Sequence, residues 1–252
     1  MNIVLIGTGN TATVLGRKLK KAGHRILQVF GRDSRAASEL AYELDTESTN
    51  YWNVVNRSAD IYILAVSDIA VEEVFQELQL SDKTVVHTAA SVPLNVLEGK
   101  TEHYGVFYPL QSLKKEIGHL PEIPIIIDAS DKKTLHLLDV LAHTISDRVV
   151  VASDETRVKL HLSAVMVNNF TNHLYALIEK YCKEEGLDFY LLLPLIKETS
   201  LRLEDASPSK TQTGPAVRND AVTIEKHLAL LERYPQLKKI YELFTESILQ
   251  SR

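Results

Sequence analysis

Apolar residues in the first part of the chain fall in short runs separated by amphipathic stretches. Residues 3–6, 26–30, 61–66, 84–89, 104–107, 123–127 and 148–151 read as strands, several of them apolar enough to be buried on both faces of a parallel sheet. Between the first two runs Val14, Leu15, Leu19 and Ala22 recur at helical spacing, with Arg17, Lys18, Lys20 and Lys21 opposite and Gly23 as the stop. Further helices are predicted over 36–44, from Asp68 through Leu80, and over 132–143, with a loose connection from 45 to 55. From about Ser153 the pattern changes. Helical spacing dominates over 153–180, 188–204, 221–234 and 236–250, Gly186 breaks the first of these, and no strand is expected after Val151. The expected fold is α/β: an N-terminal doubly wound, mostly parallel Rossmann sheet over 1–152, then an all-α domain over 153–252.

The turn after the first strand carries the most specific local chemistry. Gly7-Thr8-Gly9-Asn10-Thr11-Ala12 matches G-x-G-x-x-G/A between a predicted strand and a predicted helix. Gly7 permits the tight turn, Gly9 lets backbone N–H groups approach a pyrophosphate, and Ala12 allows close helix–strand packing. Gly7, Thr8, Gly9, Asn10 and Thr11 are therefore candidate dinucleotide ligands, with the phosphates at the positive end of the helix dipole. The second strand exits into Gly31-Arg32-Asp33-Ser34-Arg35. A cation and hydroxyl donors suit a ribose 2′-phosphate, so Arg32, Ser34 and Arg35 favour NADP over NAD. Asp33 either caps the next helix or contacts a ribose hydroxyl. Ala65, Val66 and Ser67 end a third strand and are candidates to line the adenosine and pyrophosphate path.

Composition adds mainly exclusions. A hydrophobic content of 45% and a charged content of 24% suit a globular protein, and the net charge of −5 gives no sign of a nucleic-acid surface. No apolar run approaches the length that spans a bilayer, and the first strand starts too early for a signal peptide, so a cytoplasmic location is expected. The single cysteine, Cys182, excludes an internal disulfide framework, and the histidines show no metal-ligand spacing, so no metal is expected.

The Gly-Thr-Gly-Asn turn, Ala65-Val66-Ser67-Asp68 and Tyr108-Pro109-Leu110-Gln111 resemble the Rossmann domain of pyrroline-5-carboxylate reductases. Asn168-Asn169 in a long helix, followed by Thr213-Gly214-Pro215-Ala216-Val217-Arg218-Asn219-Asp220, resembles Rossmann-like proteins with a helical domain of unknown function, DUF2520. The resemblance implies NADP binding, a reductase-like architecture and a helical dimerisation domain, with no established substrate. Many β-hydroxyacid dehydrogenases carry a catalytic Lys four residues before an Asn on this helix. Here Lys159 precedes Asn168 by nine, so that role is not carried over.

Helical spacing offers a separate view of the second half. His161, Val165, Asn168 and Asn172, at intervals of four, three and four, share one face of an ideal helix. If that face lines a cleft, His161 is a candidate general acid and Asn168 could orient a carbonyl or carboxylate. The alternative is a set of polar contacts at loops or between subunits. Arg218 could hold a substrate carboxylate bidentately, or Arg218 and Asp220 could simply build the turn before a helix. Tyr108 could donate a proton near a nicotinamide, although packing is the simpler account of a strand-end tyrosine.

These readings converge on an NADP-dependent oxidoreductase. It would move hydride to or from a small carbonyl or imine substrate held between the domains, as a homodimer through the helical half. The alternative is a non-catalytic NADP-binding sensor or interaction protein.

Overall fold

The computed structural model describes residues 1–78 and 80–251. Eight strands form one sheet: β1 (Asn2–Ile6), β2 (Arg25–Phe30), β3 (Glu47–Thr49), β4 (Ile61–Leu64), β5 (Thr84–His87), β6 (His103–Pro109), β7 (Ile125–Ala129) and β8 (Val149–Val151). Their order is β3-β2-β1-β4-β5-β6-β7-β8, so the chain reverses direction across the sheet between β1 and β4. Every neighbouring pair is parallel except β6 and β7. The carboxyl ends of β1, β4, β5 and β6 therefore share one edge, where doubly wound sheets bind ligands.

Alternation along the central strands separates two cores. Ile3 and Leu5 point to one face and pack with Leu15 and Leu19 of α1 (Asn10–Lys21), Leu40 and Leu44 of α2 (Ser34–Leu44), and Leu138 and Leu141 of α4 (Lys132–His143). Val4 and Ile6 point to the other, against Tyr62, Leu64, Leu97 and Phe75 of α3 (Val71–Glu77). Both faces are covered, as a parallel sheet requires.

Two local expectations, for the connection after α2 and for the long helix, need correction, and the pairing of β7 is a third local feature. The connection after α2 holds β3, an edge strand too short and polar to give a periodic signal. No regular element fills 110–124, and with no crossover helix β7 returns antiparallel to β6. The long helix from 153 is not continuous: α5 (Asp154–Ala164) runs into a π-helical stretch, Val165–Phe170, before α6 (Thr171–Glu184). A π turn holds more residues than an α turn, so the stripe of His161, Val165 and Asn168 is not carried on to Asn172 as it would be on an ideal helix.

The chain divides into two compact units, Met1–Asn169 and Phe170–Arg252. The predicted boundary after residue 152 marks where strands stop, while the first unit extends through α5. Arg157 of α5 is wholly buried there and bonds the backbone that follows β5. Within the second unit α6, α7 (Leu193–Asp205), α8 (Pro208–Thr211), α9 (Ala221–Leu230) and α10 (Pro235–Gln250) are the regular elements, with a 3-10 turn at Phe189–Leu192. Among the described residues, no helix is long and apolar enough to cross a membrane.

Candidate active site

A cavity of about 470 Å³ opens at the carboxyl ends of β1 and β4. It is lined by Gly7, Thr8, Gly9, Asn10, Thr11, Arg32, Ala65, Val66 and Ser67, together with Phe30, Gly31, Asp33, Ala70 and Val74. Gly7 has φ of 127°, and its N–H donates to the Phe30 carbonyl at 2.8 Å. A Cβ at Gly7 would sit 2.2 Å from the Ala65 carbonyl oxygen, so only glycine lets β1 and β4 approach this closely. Gly9 caps α1 with no side-chain hydrogen bond, no acid lies in the first turn, and a Cβ at Gly9 would meet nothing. The first N–H groups of α1 are thus left for an external acceptor, and the residues present fit a dinucleotide pyrophosphate.

The exit from β2 is more selective than the sequence implies. Arg32 lines the cavity, and Ser34 and Arg35 do not. Arg35 is exposed, and its Nε donates to Glu39 Oε1 at 2.9 Å. Asp33 caps α2, accepting from the Arg35 and Ala36 N–H groups at 2.9 and 3.2 Å. Of the proposed phosphate cluster, one cation remains at the cavity. Asn10 also has a second task, because its Oδ1 accepts the Lys115 N–H at 3.2 Å.

A second cavity of about 560 Å³ is lined by Tyr108, Leu110, Gln111 and Ser112 at the end of β6. Its other wall is Leu160, His161, Ser163, Ala164, Val165, Val167, Asn168 and Asn169. His161 and Asn168 therefore share one cavity, while Asn172 is exposed and belongs to the second unit. The Tyr108 hydroxyl lies 2.9 Å from His161 Nδ1. Burial pushes the Tyr108 phenol up to about 12, helped by the negative charge of Asp68. It keeps its proton at neutral pH, so the phenol can donate to Nδ1 when that nitrogen carries no hydrogen and accept from it when it does. A buried phenol joined to a partly exposed imidazole can pass a proton from solvent to a bound molecule. Lys159, one turn from Glu155, is exposed and ion-paired with it.

Arg218 lies in the second unit, exposed, before α9. Asp220 caps that helix, accepting from the Thr223 N–H at 3.1 Å and the Thr223 hydroxyl at 2.7 Å. These bonds, Thr223 first and the Arg218 charge after, hold the Asp220 carboxyl below the usual range. Asn219 adopts left-handed φ of 54° and Gly214 has φ of 112°, so much of the Thr-Gly-Pro string builds a turn. Among the described residues, no group of three or more His, Cys, Asp and Glu could hold a metal ion.

Sequence reasoning ranked Tyr108 as packing and left out Gln111 and Ser112. The available signal was a hydroxyl-bearing residue at the carboxyl end of a strand, on the edge where ligands bind.

Residues 123–248 match a domain of unknown function (DUF2520), and residues 2–91 match the NADP oxidoreductase coenzyme F420-dependent family. No curated protein matches the chain. Among solved structures, the chain is 42% identical to a protein of Bacteroides fragilis named for an inferred NADP oxidoreductase activity; the match covers 99% of this chain and 98% of that one, with a TM-score of 0.91. A reductive aminase from Aspergillus terreus, solved with NADPH and ethyl levulinate, shares 14% identity over 99% and 93% of the two chains, with a TM-score of 0.76. A 1-pyrroline-5-carboxylate reductase from Streptococcus pyogenes shares 15% identity over 99% and 98%, with a TM-score of 0.67. These last two share the fold. The two matched regions and the full-length likeness show that the chain belongs to the DUF2520 family, with a Rossmann domain of the NADP oxidoreductase coenzyme F420-dependent type ahead of its DUF2520 region.

Proposed function

We propose that the protein is an NADP(H)-dependent oxidoreductase acting on a small carbonyl or imine compound. One observation carries this reading: the glycine-turn cavity and the Tyr108–His161 cavity both open on the carboxyl edge of one sheet, with β5 alone between β4 and β6. Gly7, Thr8, Gly9 and the start of α1 would hold the pyrophosphate, and Arg32 the 2′-phosphate. The bound cofactor supplies a hydride donor or acceptor. The residues of the second cavity supply the proton. When His161 is protonated, its Nδ1–H donates to the Tyr108 oxygen, and the phenol O–H is free for the substrate oxygen or nitrogen. Transfer of both protons leaves neutral Tyr108 and neutral His161. Asn168 orients the reacting group by a hydrogen bond. A homodimer through the helical unit accompanies this reading, supported by exposed Leu191, Leu195, Leu243 and Phe244.

Phe30 lines the first cavity and stacks on Trp52, the one tryptophan, at 3.7 Å, so NADPH binding is expected to quench Trp52 emission. Arg32→Ala should weaken NADPH about tenfold or more, the value of one hydrogen-bonded charge pair, and leave NADH unchanged. Purified protein with NADPH and panels of keto acids and cyclic imines then reports turnover by loss of nicotinamide absorbance. Absence of NADPH binding at millimolar concentration defeats the proposal. Tight binding without oxidation across the panels favours the second reading, a cofactor-binding sensor, to which the outward-turned Lys159 lends support.

A further inference from the structure

Arg157 has the largest side chain among the wholly buried residues, and the proton relay above does not use it. Its Nε donates to the Ala90 carbonyl at 3.0 Å, and its Nη2 donates to the Val92 carbonyl and, at 2.7 Å, to Asp154 Oδ1. Asp154 in turn accepts the Leu94 N–H, at 3.0 and 3.1 Å to its two oxygens. The first turn of α5 thus grips 90–94, the segment that leaves β5. Because β5 lies between β4 and β6, this segment runs between the two cavities. Its Ser91 N–H reaches Asp68 Oδ2 at 3.4 Å, and Asp68 follows Ser67 of the dinucleotide cavity. On the other side, His161 sits one helical turn beyond Arg157.

Burying a guanidinium costs free energy, and an apolar side chain of similar size often serves stability as well. Arg157 Nη1 finds no acceptor among the described residues, so its desolvation is only partly offset. What the cation does supply is direction: its fixed fork of donors holds two carbonyls of one loop and a carboxylate at once.

We infer that Arg157 is a positioning residue: with Asp154 it locks 90–94 to α5 and thereby sets the nicotinamide subsite against the Tyr108–His161 pair. The inference rests on the cofactor reading above only for what fills that subsite. Two variants test it, Arg157→Met and the double variant Arg157→Met with Asp154→Asn, which removes both charges and so avoids stranding one of them. Two readouts are used. Amide hydrogen exchange of residues 90–94 is expected to accelerate at least tenfold, with β5 itself unchanged. NADPH affinity, followed by Trp52 quenching, is expected to fall about tenfold, while that of 2′,5′-ADP, which lacks the nicotinamide, stays within about twofold. A role limited to stability would weaken both ligands together or neither. Unchanged exchange at 90–94 in both variants, or parallel loss of NADPH and 2′,5′-ADP affinity, overturns the inference. If the unaltered protein binds no NADPH, the cofactor reading fails, and the exchange experiment alone decides whether Arg157 holds the segment.

Discussion

His87, the last residue of β5, makes stability depend on pH with a predictable sign. It is wholly buried, its Nδ1 accepts the Ala89 N–H at 3.2 Å, and its Nε2 has no hydrogen-bond partner among the described residues. Burial first, and the positive charge of Arg157 second, pull its pKa from the ordinary 6.5 down to about 4. As pH falls below 6.5, the unfolded chain takes up a proton at His87 that the folded chain refuses until about pH 4. Stability is unaffected above that window and falls within it. The slope approaches about 1.4 kcal/mol per pH unit, giving a loss of about 3 kcal/mol by the lower end. Urea unfolding at a series of pH values from about 7 to about 4 measures the slope. His87→Gln cannot titrate, so its stability curve should flatten by one proton while the carboxylates contribute equally to both proteins. Parallel curves for the two proteins would refute the reasoning.

Other substitutions separate the roles assigned above. Gly7→Ala places a Cβ 2.2 Å from the Ala65 carbonyl oxygen at a left-handed φ, so it should abolish NADPH quenching of Trp52 and lower the melting temperature. Tyr108→Phe should reduce turnover about 100- to 10,000-fold with NADPH affinity nearly unchanged; an equal loss in binding would mean that the phenol holds cofactor instead. Arg35→Ala, in contrast to Arg32→Ala, should leave NADPH affinity within about twofold, because Arg35 is engaged with Glu39. Asp131→Ala removes the cap of α4, whose oxygen accepts the Lys133 and Thr134 N–H groups at 2.8 and 3.0 Å, and should cost about 1 kcal/mol in urea unfolding.

The sheet was readable because its strands are short apolar runs with no competing period, and because Gly7-Thr8-Gly9 can serve few backbones. Local pattern carries such information. It does not carry pairing direction: nothing in 123–127 distinguishes a strand returning antiparallel from one reached by a crossover. The candidate site divides along the same line. Nine of the eleven proposed dinucleotide residues line one cavity because they sit within five residues of a strand's carboxyl end. Arg35 lies outside that cavity, paired with an exposed Glu one helical turn away, a contact that i,i+4 spacing favours. His161 meets Tyr108 across 53 positions of chain, and no periodicity reports that. The π stretch was equally silent, since its residues would suit an ordinary helix.

The antiparallel return of β7 also bears on how such proteins diverge. Pairing Pro109 with Ile125 keeps both ends of the 110–124 segment at the ligand edge of the sheet. Residues can therefore be added to or removed from this segment without moving a strand, and Gln111 and Ser112 would change with them. Two pins limit that freedom: the Lys115 N–H donates to Asn10 Oδ1 at 3.2 Å, and its carbonyl accepts from Arg17 Nη1 at 2.7 Å. Residues 110–112, before Lys115, line the Tyr108–His161 cavity, and Lys115 itself is bound to Asn10 beside the glycine turn. A lineage lengthening this segment would drift on one side of Lys115 while remaining anchored at it.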